Sequence, residues 1–238
     1  MRACPGVQVP AGLAYVGAFL LAAFVLGGQG HEFTHHFVTR LTCGAWGTMD
    51  LMSYEAAPGC DYPAHRASFL GLAAGSAVNY TLMIAGGILA WRSRRFALLG
   101  VSLVFAALPI GRLLTLFTSG DEILLGQYLV ARGPVGIWTA RLVGLAIILP
   151  AFAAAWSAIA NRWRWLVFAG LFLLPLLVLG GAAAWINPFL SRPEVSRIVG
   201  MPRPLLVADL IAAAAFVLLS RHLVGRPAAD SARPLPGG

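Results

Sequence analysis

Six runs of about 20 or more mostly apolar residues divide this chain, at approximately 12–38, 67–91, 96–118, 137–159, 164–186 and 204–222. At 1.5 Å per residue, each is long enough to cross a hydrocarbon core about 30 Å thick as a helix. Composition agrees, since 59% of the 238 residues are hydrophobic and 11% are charged, against roughly 25% charged in an ordinary soluble domain. The expected fold class is all-α, a polytopic membrane protein with about six transmembrane helices. That length suits one compact bundle and leaves little for a separate soluble domain. Only Arg2 precedes the first run and no small-residue cleavage site follows it, so it reads as a retained span rather than a removable signal. The tail from Arg226, RPAADSARPLPGG, is expected to be disordered.

The formal net charge is +8, and all the basic residues are Arg. They are scattered through the short connections, where basic residues set orientation, and form no nucleic-acid footprint. With both termini cytoplasmic, nine Arg fall on the inner face, while the outer loops hold Arg132, Arg192, Arg197 and Arg203 among others. The expected location is thus an integral membrane one, in a bacterial inner membrane, although the fifth connection opposes this orientation. Cys43 and Cys60 stand 17 residues apart in the first loop and could pair in an oxidising compartment; two unrelated thiols fit the spacing equally.

Polar residues are costly at the end of an apolar run, and the first run ends in GGQGHEFTHH. On a helix His31 and His35 are one turn apart and share a face. Glu32 lies beside them. This is the H-E-x-x-H arrangement, in which two imidazoles ligate one Zn²⁺ and the glutamate acts as base towards water. His36 is about 100° around the helix from His35 and is better placed to orient a neighbour or stabilise an oxyanion. The same letters fit an H-x-x-x-H-H box of di-iron membrane oxygenases. The chain has five histidines, with His65 and His222 outside the cluster, too few for a di-iron centre. A bis-histidine haem would have His65 as its one reachable second ligand.

A catalytic zinc takes three protein ligands and keeps one position open. Alternation of the spans puts His31, His35, Asp121 and Asp209 on one side of the membrane, together with Asp50, Glu55, Asp61 and His65. Asp121, in SGDE, is the first choice for third ligand, with Ser119 as a possible helix cap. Asp209, in LLVADLIAAAA, is the alternative third ligand, or else an ion-pair partner of Arg112.

With these motifs the sequence resembles the site-2 protease family of intramembrane zinc metallopeptidases. HEFTH at 31–35 is the first match. AAGSAVNYTLMIAGG at 73–87 resembles the family's glycine-containing segment ending in asparagine, with Gly75 and Asn79 at the matching positions. LPIGRLLTLFTSGDE is a weaker match to the stretch that supplies the aspartate ligand, because Gly120-Asp121 reverses the family's order. The resemblance covers roughly residues 20–125. It implies a three-helix metallopeptidase core within 1–125, three further spans in 126–223 and a tail at 224–238. It further implies one Zn²⁺ held by His31, His35 and Asp121, with Glu32, His36 and Asn79 as catalytic residues. The substrate would be a membrane protein or membrane-associated peptide, selected by the helices or by a partner protein. Two other functions stay open: a catalytically inactive subunit or scaffold retaining this fold, and a small membrane transporter.

Overall fold

The computed structural model describes residues 6–60 and 67–224. Asp61, His65 and the tail from Arg226 lie outside the described residues. The protein is an all-helical, polytopic membrane protein with six helices long and apolar enough to cross a bilayer: Leu13–Cys43, Ser68–Arg92, Ala97–Phe117, Pro134–Ala158, Arg164–Leu190 and Arg203–Leu223.

The first span is α1 (Leu13–Ala22), a π-helical segment at Ala23–Gln29, and α2 (Gly30–Cys43). The wider turns coincide with Gly27, where a side chain would collide with the carbonyl of Ala106 on the neighbouring helix. Gly44 ends α2 in the left-handed conformation, the usual glycine stop. A short hairpin follows, β1 (Thr48–Asp50) against β2 (Ser53–Glu55), with Met49 opposite Tyr54.

The second span, α3 (Ser68–Arg92), buries Gly71, Gly75, Ser76, Asn79, Met83, Gly86, Gly87 and Ala90 along one stripe. Small residues at this spacing let neighbouring backbones approach closely, which is how helices associate without a hydrophobic drive between them. The third span breaks at Ala107–Leu108 into α4 (Ala97–Ala106) and α5 (Pro109–Phe117), with Pro109 opening the second piece. A nine-residue helix, α6 (Asp121–Leu129), then precedes the fourth span, α7 (Pro134–Ala158).

The fifth span is α8 (Arg164–Pro175), a π segment at Leu176–Gly180 and α9 (Gly181–Leu190). A second hairpin, β3 (Arg197–Ile198) with β4 (Met201–Pro202), leads into α10 (Arg203–Leu219). The two hairpins meet on one side of the bundle: Met49 N–H donates to the Gly200 carbonyl at 3.2 Å, and Arg197 pairs with Asp50 at 2.9 Å. Asn187 completes the clasp, its amide bonding both N–H and C=O of Leu51. A disulfide joins Cys43 to Cys60 across a Cα separation of 5.8 Å, resolving the open pairing of these two thiols and closing the first loop against the end of α2.

Candidate metal centre

In α2 the polar face is the buried one. His31 and His35 are each 4% exposed, whereas Phe33 and Phe37 on the opposite face are 46% and 44% exposed. A helix in lipid turns its apolar side outward and keeps ionisable groups against its neighbours, and the neighbour here is the glycine stripe of α3. His35 fits against Gly75, where any Cβ would collide with the imidazole. Its Nδ1–H donates to the Gly71 carbonyl at 2.6 Å. That bond fixes the ring and leaves Nε2 to face inward, as the outer hydrogen bond of a metal-ligating histidine does.

Asp121 arrives from the other direction, as the first residue of α6. Gly120 is the extended cap residue and no side chain caps this end, so Ser119 does not have the capping place anticipated for it. An acid suits this position because the unpaired N–H groups of the first turn favour negative charge. The resulting triad is tight. His35 Nε2 lies 3.0 Å from His31 Nε2 and 3.1 Å from Asp121 Oδ2, while His31 Nε2 lies 3.5 Å from the same oxygen.

Such a donor set fits a metal. Two imidazole nitrogens and a carboxylate oxygen repel at these distances unless a proton or a cation is shared among them. Tetrahedral zinc with bonds of about 2.0–2.2 Å sets its ligand atoms about 3.3–3.6 Å apart, within a few tenths of an ångström of the observed spacings. Ligand atoms of His31, Glu32 and His35 also lie within 4.8 Å of one another. This wider grouping places Glu32 beside the cluster, and the shorter distances single out Asp121 as the group that closes it. Burial works to raise the Asp121 carboxyl, but hydrogen bonds and charge from His31 and His35 outweigh it and hold the group well below the ordinary carboxylate range.

The cluster opens into a cavity of about 530 Å³ lined by Glu32, Thr39, Tyr54, Glu55, Arg112 and Asp121, among others. Tyr54 of β2 stacks on His35 with centroids 5.9 Å apart, so the first hairpin forms one wall. Cys60 lines the cavity as well, and the disulfide therefore ties this wall to α2.

The other anticipated residues lie elsewhere. His36 is fully buried, donates from Nε2 to the Val199 carbonyl at 2.6 Å and stacks on Trp46 at 4.8 Å. It fastens α2 to the second hairpin and does not line the cavity. Asn79 is 1% exposed, one turn beyond Ser76 on α3, and is likewise not among the lining residues. Asp209 faces Gln29: with the Gln29 amide nitrogen turned towards it, N and Oδ2 are 3.3 Å apart, and the amide oxygen accepts from Met52 N–H at 3.3 Å. Asp209 is therefore a partner of the π segment of the first span and is not grouped with His31 and His35. Arg112 does not pair with it. The guanidinium turns to Glu122 at 3.2 Å and Asp121 at 3.6 Å, because α5 and α6 fold back on each other through the short turn at 118–120.

Glu122 is the residue that sequence reasoning passed over. Its buried carboxylate accepts from Ser76, Tyr80, Arg112 and Thr115 at 3.2–3.3 Å. Two adjacent acids following an apolar run that carries one lone Arg were the available signal. No family model, curated protein or solved structure matches this chain; the site is argued from its own geometry.

Proposed function

We propose that this protein is an intramembrane zinc metallopeptidase of the site-2 protease type, hydrolysing peptide bonds in membrane-associated substrates. The observation that carries the reading is the convergence of His31 Nε2, His35 Nε2 and Asp121 Oδ2 within 3.5 Å, beside Glu32 and open to the cavity. His31, His35 and Asp121 would hold the ion. Zinc bound there supplies Lewis-acid chemistry, polarising the scissile carbonyl and acidifying water. Glu32 takes the proton of the attacking water and hands it to the leaving amine. His35 is kept in its ligating orientation by Gly71 and Gly75.

The peptide bonds of an intact helix are shielded by their own hydrogen bonds and side chains, so the reacting stretch enters the cavity locally unwound. Selection falls to the surrounding helices or to a partner protein. The Cys43–Cys60 disulfide at the cavity wall supports an oxidising compartment on this side. With the site facing that compartment, alternation of the six spans means that both termini would lie on the cytoplasmic side.

The test is metal content and cleavage of a fluorogenic transmembrane peptide by purified protein. Wild type should hold one equivalent of zinc, and H31A, H35A and D121A should lose it. Glu32→Gln should keep the zinc and lose cleavage by at least about 10²-fold. Wild type without metal would remove the zinc reading. Wild type with zinc but no cleavage of any membrane peptide would instead select the non-catalytic subunit.

A further inference from the structure

Asp121 has little of its own to hold it. It opens a helix with no side-chain cap, its side chain is 25% exposed, and the cavity lies on one side of it. Beside it, Arg112 Nη1 stands 3.6 Å from Asp121 Oδ2, the oxygen that also faces His31 and His35, and 3.2 Å from Glu122 Oε1. Ser76 Oγ spans the same two carboxylates at 3.5 and 3.3 Å. Glu122 is in turn pinned by Tyr80 and Thr115 at 3.2 Å each. Three elements thus meet around Arg112 and Glu122: α3 through Ser76 and Tyr80, α5 through Arg112 and Thr115, and α6 through the two acids.

We propose that Arg112 and Glu122 form a positioning pair that sets the Asp121 carboxylate at the metal centre, with Glu122 anchoring the guanidinium and the guanidinium holding Asp121. The proposal rests on the zinc reading above and adds residues outside the ligand set. One guanidinium nitrogen, Nη1, faces both acids and Ser76 Oγ at 3.3 Å, and a charged donor makes the stronger class of hydrogen bond to a carboxylate. Partners of a metal ligand that are not ligands themselves typically contribute 10–100-fold to metal affinity.

Charge and position make opposite forecasts for Arg112, which makes the idea testable. A cation beside a divalent ion repels it, so on charge alone Arg112→Met would tighten zinc binding. Positioning requires the reverse. The measurement is zinc affinity of detergent-solubilised protein by competition with a chromophoric chelator, together with the visible spectrum of the Co²⁺-loaded form. R112M is expected to weaken zinc binding by about 10–100-fold and to alter the cobalt bands. R112K, which restores a charged donor on a shorter side chain, should recover part of the loss.

Because R112M leaves two buried carboxylates facing each other, the double variant R112M/E122Q is the control. It removes one charge of each sign, leaves net charge unchanged, and should weaken binding to the same extent. S76A, which removes one hydroxyl and no charge, should cost about tenfold and leaves the ion pair in place. Wild-type affinity, or tighter binding, in R112M and the double variant would overturn the proposal while leaving the zinc reading intact. Failure of wild type itself to bind zinc would instead remove the reading on which the proposal stands.

Discussion

Replacing Gly75 by alanine is a change that ordinarily helps a helix, by about 1 kcal/mol. In this protein it should disable the site. A Cβ at position 75 would fall against Nε2 and Cδ2 of His35 and 2.8 Å from the His31 carbonyl oxygen. Ordinary contact needs about 3.5 Å, so the imidazole must retreat by about 1 Å or more. It has nowhere to go without loss, because Tyr54 stacks on the ring with centroids 5.9 Å apart and Gly71 holds Nδ1 at 2.6 Å. Overpacking of this kind costs about 1–3 kcal/mol, which propensity offsets in part, so the fold should survive. The metal should not, since ligand distances tolerate only about 0.2 Å of error. Zinc affinity of G75A is expected to fall by more than about 100-fold, beyond what loss of an outer partner causes. The assay pairs chelator competition with a thermal melt of the metal-free protein. A G75A protein binding zinc as wild type does would show that His35 is not seated in the glycine groove, and the site as described would be wrong.

Two further outcomes follow from the same geometry. Zinc affinity should decline on acidification, because protons compete with the ion for the imidazole nitrogens that would hold it, whereas Asp121 is kept anionic by its histidine neighbours; an affinity unchanged between about pH 8 and pH 5 would mean that no histidine binds. Replacing both Cys43 and Cys60 by serine, across their separation of 17 residues, should lower stability by about 3 kcal/mol. The expected readout is a lower melting temperature that dithiothreitol reproduces in the wild type and leaves unchanged in the variant; an unaltered melt would mean the hairpin contacts alone secure the loop.

The parts of this molecule that were legible beforehand depend on short-range pattern. Length and hydropathy set out the six spans, a one-turn spacing paired His31 with His35, and alternation of the spans brought Asp121 to their side. What stayed hidden depends on how helices rotate against one another. His36 and Asn79 sit near the motif in sequence, yet rotation of α2 and α3 directs one to Val199 and leaves the other one turn beyond Ser76. Arg112 and Asp209 are both isolated charges in apolar runs, and composition invited pairing them. The break between α4 and α5 and the short turn into α6 send Arg112 to Glu122 instead. Glu122 itself was unremarked because a first-turn acid usually faces water, and only tertiary contacts show four donors around this one.

The π segment at Ala23–Gln29 has a consequence for anyone aligning or redesigning this span. Wider turns of this kind amount to a residue looped into an otherwise regular helix, and one residue is worth about 100° of rotation. A projection drawn through all 31 residues of Leu13–Cys43 therefore superimposes two phases that the molecule keeps apart. Deleting a single position between Ala23 and Gln29 would straighten the rod and swing both imidazoles off the groove of the second span, erasing the centre while every letter of HEFTH stayed in place.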